Sequence, residues 1–372
     1  MIKLRWIFVV LSMSACIDPI AFESTWPETL IVVEGFITDA EGPYTVEITR
    51  GISVDVDRIK SVGVAEAKVT LISDEGDTEN FTETSPGVYK TGGAIRGKIG
   101  HSYHISLEMP DGAKFESEPE VIRRSGEVKE VRVEFEHRTT IKEFGEFNAD
   151  VFNIYADGDA IPSTGGEPSF VRWRYAGTYK VETHPERHVT FLQQSAYMTP
   201  LPCSGYVVEP ALGGGKLVKK TECTCCICYC KNYESEPQIS DTNTVKSGQF
   251  RNVKVGEIPI NPATFFDKFM VEVEQMQISK PAFEFFTIMR NQKLGASNLF
   301  QPPPGQLRGN IYSVNGSYPV IGLFWGAAVH KKTIFVLKSD LPYPQPPIDE
   351  KTTSCFEAFA NASSDKPANW DE

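Results

Sequence analysis

Apolar residues in this chain recur at every second position in short runs, and glycine, proline and aspartate cut those runs at close intervals. After a Glu41-Gly42-Pro43 turn, Tyr44, Val46 and Ile48 alternate with Thr45, Glu47 and Thr49. A period of two places one set on a buried face and the other in water, which is a strand and not a helix. Val69-Thr-Leu-Ile-Ser73 and Tyr103-His-Ile-Ser-Leu-Glu108 repeat the pattern, closed by Asp74-Glu75-Gly76 and Pro110-Asp111-Gly112. Leu30-Ile-Val-Val-Glu-Gly-Phe-Ile-Thr38 reads as a more deeply buried strand interrupted by Gly35. Short strands at this spacing predict an immunoglobulin-like β-sandwich over residues 29–122. Its expected core includes Val32, Tyr44, Val46, Leu71, Tyr103 and Ile105.

Charged residues from Arg123 to Glu130 mark a crossing, after which Val131, Val133 and Phe135 reopen the alternation. Val171-Arg-Trp-Arg-Tyr175 and Phe269-Met-Val-Glu-Val273 continue it, so a larger β-domain is expected over 126–340 with a Cys-rich insertion at 203–230. One short helix is predicted near 280–294. Ser279 can cap it, Pro281 suits its first turn, and Ala282, Phe285, Phe286 and Met289 share one face before Gly295. That face reads as core packing. Residues 341–372 form a Pro-rich segment and a tail containing Cys355. The fold class is mainly β, in keeping with 29 glycines and 25 prolines.

The N-terminus bears on location. Lys3 and Arg5 precede an apolar run from Trp6 to Leu11, then Ser12, Ser14, Ala15 and Cys16. This order is a secretory signal over 1–15, too short to span a bilayer. A cysteine at the cleavage point resembles a bacterial lipobox, so Cys16 is the expected lipidation site and residues 16–28 a lipidated tether. No later stretch reaches transmembrane length, which leaves the lipid as the expected anchor. A formal charge of −12, more negative once Lys3 and Arg5 are removed, argues against nucleic acid and against a polybasic grip on anionic lipid. Asp18 is the single acid in Ile17–Ile20. The expected chain is membrane-tethered and extracytoplasmic, with the outside slightly favoured over the periplasm.

The densest chemical feature is Cys223-Thr-Cys225-Cys226-Ile-Cys228-Tyr-Cys230, with Cys203 before it and Cys355 after it. The x-x spacings of Cys223/Cys226 and Cys225/Cys228 would suit thiolate ligation of zinc. Oxidising conditions outside the inner membrane favour disulfides among the same residues. With Cys16 acylated seven cysteines remain, so one at least lacks a partner within the chain. In a strand Cys228 and Cys230 share a face, favouring bridges to separate partners over one between neighbours. Pairing itself cannot be read from spacing.

His101, His104, His137, His184, His188 and His330 are scattered, and read as surface or edge residues. Asp157-Gly-Asp159 begins like a calcium loop, but Pro162 and Pro168 stand where the turn glycine and closing glutamate belong. No nucleophile elbow, His-Glu-x-x-His pair or phosphate loop occurs. These observations predict no enzyme and no cofactor.

Read in order, several blocks are familiar. The Cys16 lipobox is followed by Leu30–Thr38, then Gly42-Pro-Tyr-Thr-Val-Glu-Ile-Thr-Arg50 and Val64-Ala-Glu-Ala-Lys-Val-Thr-Leu71. Gly87-Val-Tyr89, Gly100–Leu107, Asn298-Leu-Phe300, Gly309-Asn-Ile311, Val320–Phe324 and a final Cys355, Lys366-Pro367 and Trp370 complete the series. Together they resemble the Bacteroidota lipoproteins grouped as domain-of-unknown-function 4249. The resemblance implies an outer-membrane lipoprotein whose gene often lies beside a TonB-dependent receptor, and it carries no catalytic residues over. It departs at Cys355, followed by Phe356, Glu357 and Ala358 where such proteins often have a second cysteine, and in the crowded Cys223–Cys230 run. The expected function is a ligand-binding or capping accessory of a TonB-dependent transporter. A free-standing surface binding or adhesion protein is the alternative, and an enzyme of unrecognised type the third reading.

Overall fold

A computed structural model describes residues 30–371, apart from 56–57, 143–144, 163–167, 193–194, 213, 246, 296–306 and 317–318. Strands dominate it. Leu30–Thr38 pairs antiparallel with Thr45–Asp55, whose other partners are Val88–Lys90 and Arg58–Gly63. A second sheet runs Ile311–Ser313, Lys114–Ser117, Ser102–Glu108, Lys68–Ser73 and Thr78–Asn80, with Glu120–Val121 on Ser102–Glu108. Side chains from both sheets meet in one core that includes Ile31, Val46, Leu71, Tyr103, Ile105 and Phe115. This is the expected sandwich.

One expected core residue is on the wrong face. Ile31, Val33 and Ile37 point inward, while Val32 is only half-buried on the opposite side. Four apolar residues in a row hide the alternation. Glu34, exposed, fixes it, because Val32 and Phe36 must share its face.

The sandwich also reaches beyond residues 29–122. Val320–Ala327 pairs in parallel with Leu30–Thr38, and Ile311–Ser313 pairs with Lys114–Ser117. Residues nearly three hundred positions away in sequence therefore edge the first sheet, and a parallel neighbour of this kind needs a long crossover. Gly322 lies against that first strand, where an added Cβ would stand 1.9 Å from the Val33 carbonyl oxygen.

Most of the remaining strands form two further sheets, and the rest form two-stranded hairpins. Val128–Glu136, Val151–Asp159 and Gln249–Pro259 make one. The other runs Val329–Leu337, Lys268–Ile278, Phe170–Glu182, Ile227–Tyr233 and Ala362–Ser363, with Gln238–Asp241 on Phe170–Glu182. Trp173, Tyr175, Phe265, Phe269, Val255 and Ile154 fill the space they share. Asp157 and Asp159 belong to a strand and are held by Arg132 and Lys129.

Helix Lys280–Gly295 stands where the pattern placed it, and the Ser279 hydroxyl accepts from the Ala282 N–H at 3.2 Å. Its Ala282 and Phe285 join Met276, Ile278, Leu323 and Trp325 in a cluster contributed by both halves of the molecule. A single-turn helix, Cys355–Ala358, is added in the tail. Val320–Ala327 continues through Ala328 into Val329–Leu337, so one extended run serves both bodies. None of the helices among the described residues is long and apolar enough to cross a membrane.

Candidate functional site

The paired strands Phe170–Glu182 and Ile227–Tyr233 are neighbours, yet the chain between them makes a long excursion from their ends. Val181 faces Cys228 and Glu182 faces Ile227, and everything from Thr183 to Cys226 is insertion. The inserted region thus begins some twenty residues before Cys203, the boundary suggested by the cysteines alone. It holds two hairpins, Val189–Leu192 with Ser195–Met198 and Tyr206–Ala211 with Gly214–Lys219.

The first hairpin has no buried side. Every described residue of both its strands is exposed, including Phe191 at 73%, Leu192 at 61% and Tyr197 at 52%. The second presents Val207, Val208 and Leu212 to solvent as well. An isolated hairpin is marginal in water, so these two need support from their roots.

Cysteines supply it. Cys203, just before the second hairpin, is bridged to Cys225, just after it. Cys223 is bridged to Cys226, and Cys228 reaches Cys355 in the tail across 127 residues of sequence. Hydrogen bonds knit the same base together. The Thr183 N–H and hydroxyl donate to the carbonyls of Cys226 and Cys225 at 2.8 and 3.2 Å, and the Cys355 N–H also donates to Cys225 at 3.0 Å. Gly205 closes the second hairpin with φ +74°, where a Cβ would lie 2.3 Å from the Thr221 carbonyl oxygen. No other residue type fits there without a shift.

The preference for separate partners, argued from strand geometry, does not extend to Cys223 and Cys226. These residues lie outside any strand, before Ile227, where strand alternation does not apply. It governs Cys228 and Cys230, which face the same way and are both fully buried. Among the described residues Cys230 is the free thiol. Burial pushes its pKa up to about 11, against a smaller lowering by Tyr179, so it is protonated at neutral pH and a poor nucleophile. Tyr229, on the opposite face, meets Trp370 edge-on at 5.2 Å. The tail therefore grips one strand from both sides, by a disulfide on one and an indole on the other. Cys16 lies outside the described residues.

Five of the six histidines are tied into structure individually, His188 through Thr199. His101 pairs with Asp74, His137 with Asp150 and His184 with Glu186, and His330 Nδ1 accepts the Val128 N–H at 2.9 Å. Among the described residues no three His, Cys, Asp or Glu side chains converge as metal ligands would. The thiols that could have bound zinc are consumed in bridges instead.

A family model described as "Domain of unknown function (DUF4249)" matches residues 17–333. The chain belongs to the DUF4249 family. No curated protein matches it. The matched span of the DUF4249 chain takes in both β-bodies and the whole hairpin insertion, and ends within strand Val329–Leu337. Cys355 and Trp370, which clamp strand Ile227–Tyr233, fall beyond it. Sequence reasoning found the cysteines of this base but missed the hairpins. Their signal was present in Phe191, Leu192 and Tyr197, set among polar residues with no covering partner in the pattern.

Proposed function

We propose that this chain is a non-enzymatic outer-membrane lipoprotein, anchored through acylated Cys16, that acts as a ligand-binding or capping accessory of a TonB-dependent transporter in nutrient uptake. The observation that carries the reading is the disulfide-rooted hairpin pair. Exposed Phe191, Leu192, Tyr197, Val207 and Leu212 expose apolar surface that a protein working alone would bury. Exposed large apolar side chains gathered on two neighbouring hairpins of one insertion suit a docking role. Three disulfides suit an oxidising compartment outside the inner membrane. Histidines and carboxylates held in individual structural pairs suit a binding protein better than a catalyst. The transporter as partner rests on the family resemblance.

The test is co-purification from detergent-solubilised outer membranes of the host. The tagged chain is expected to bring down a TonB-dependent receptor in near-equal amount, and Phe191→Asp/Leu212→Asp to lose it while melting at the same temperature. A chain that purifies without such a receptor, or a receptor retained by the variant, overturns the reading.

A further inference from the structure

A cavity of about 200 Å³ opens where helix Lys280–Gly295 lies over the outer face of the first sandwich sheet. Its walls are carbon-rich: Phe36, Phe285, Phe286, Met289, Leu323 and Trp325. Trp325 stacks on Phe36 with centroids 5.2 Å apart and meets Phe286 edge-on at 5.6 Å. The polar lining comes from Thr45 and from two carboxylates, Glu34 and Glu47. These two stand directly opposite each other on antiparallel strands. Like charges so placed repel and weaken the pairing. Neither makes a hydrogen bond or an ion pair among the described residues. Two arginines back the same wall, Arg174 over the Phe36 ring at 4.9 Å and Arg172 over the Phe286 ring at 5.1 Å, but their charges are answered by carboxylates of the larger body, Glu274 at 3.8 Å and Glu234 at 2.6 Å.

We propose that this cavity binds a small organic ammonium ion, its charge between Glu34 and Glu47 and its carbon portion against Phe36, Phe286 and Trp325. An ammonium answers both halves of the lining. Its charge relieves the carboxylate pair, and its carbon portion covers apolar wall that would otherwise face water. A hard divalent metal would find too few oxygens, since calcium takes six to eight. The volume is below the several hundred Å³ typical of drug-sized ligands, so the ligand is compact. Glu34 behaves accordingly. The residue is exposed as a whole, yet crowding around its carboxyl, followed by the Glu47 charge, raises its pKa above the usual value. The site stands whether or not the hairpins dock a transporter.

Titration calorimetry on the full chain, at fixed ionic strength, tests this with benzylammonium and tetramethylammonium as probes, benzyl alcohol as the neutral counterpart and calcium chloride as the inorganic one. Both ammonium ions are expected to bind saturably, and the alcohol at least about tenfold more weakly, the effect of roughly 1.4 kcal/mol of charge recognition. Glu34→Gln/Glu47→Gln is expected to lose at least about tenfold in ammonium affinity without melting earlier, because it removes a repulsive pair. Phe286→Leu, on the helix side, is expected to weaken benzylammonium while leaving the fold intact. Equal binding of alcohol and ammonium, calcium displacing the ammonium, full affinity in the double variant, or no saturable binding at millimolar probe would each overturn the proposal.

Discussion

Glu120 is buried at the junction of the two β-bodies, only 5% exposed, and its neutralisation is expected to favour the fold more at pH 8 than at pH 4.5. Its strand, Glu120–Val121, belongs to the sandwich, whereas its hydrogen-bond partner, the Ser279 hydroxyl at 2.9 Å, caps the helix of the larger body. The second carboxyl oxygen is buried with no partner among the described residues. Loss of hydration raises the pKa from 4.5 to about 6, against lowering by the Ser279 bond and by Arg123. A raised carboxyl pKa means that the folded chain holds its proton more tightly than the unfolded one. The associated stability is fully present below pH 4.5 and is lost as pH rises through about 6. At about 1.4 kcal/mol per unit, the loss is about 2 kcal/mol. Glu120→Gln keeps an acceptor for Ser279 and carries no charge at any pH. Its two amide hydrogens add a cost that does not depend on pH, so the informative quantity is the variant-minus-parent difference at two pH values. Urea unfolding followed by tryptophan fluorescence should give a difference about 2 kcal/mol more favourable to the variant at pH 8 than at pH 4.5. A difference that does not change with pH would refute the assignment of the ionised carboxylate as a buried, unrelieved charge.

Three further outcomes are expected. Cys203→Ser/Cys225→Ser opens a loop of 22 residues, which removes about 3 kcal/mol of restraint on the unfolded segment; limited proteolysis should then cut within 189–219 much sooner, and an unchanged cleavage rate would count against the bridge as the hairpins' root. Cys230, fully buried with its pKa near 11, should resist iodoacetamide at pH 8 until the chain is unfolded, which peptide mapping would read directly; modification of the native thiol would contradict the packing around it. Cys16→Ser should abolish incorporation of radioactive palmitate, and label persisting on the variant would remove the lipid anchor from the proposed function.

How much of this fold was legible depended on whether contacts were local. The alternation in Tyr44–Ile48 and Tyr103–Leu107 reported its buried face correctly, because each strand's burial is written in its own period. The helix was equally plain, since Ser279, Pro281 and the spacing of Ala282, Phe285 and Phe286 all lie within one segment. Val32 failed for lack of a polar neighbour before Glu34 to break the apolar run. The parallel pairing of Val320–Ala327 with Leu30–Thr38 was invisible for a different reason. Both strands are apolar on consecutive positions, and nothing in either names its partner across the intervening chain. Domain limits drawn from composition at 122 and 126 could not register a strand that returns from residue 320.

The site was legible in its chemistry and not in its geometry. Cysteine content and location implied oxidation, but connectivity depends on which backbones meet, and Cys355 meets Cys228 only because the tail pairs Ser363 with Tyr229 and packs Trp370 over its other face. The Glu34–Glu47 pair illustrates the same divide. Each reads alone as an ordinary outward residue of an alternating strand, and their opposition follows from the register of a single turn. The aromatic wall then arrives from residues 285, 286 and 325, brought over that face by a helix and a strand the sandwich's own sequence does not contain. An outward carboxylate pair on a bare sheet would be solvated and of no account. The same pair beneath Phe286 and Trp325 loses water on one side, and its repulsion becomes available to select a cation.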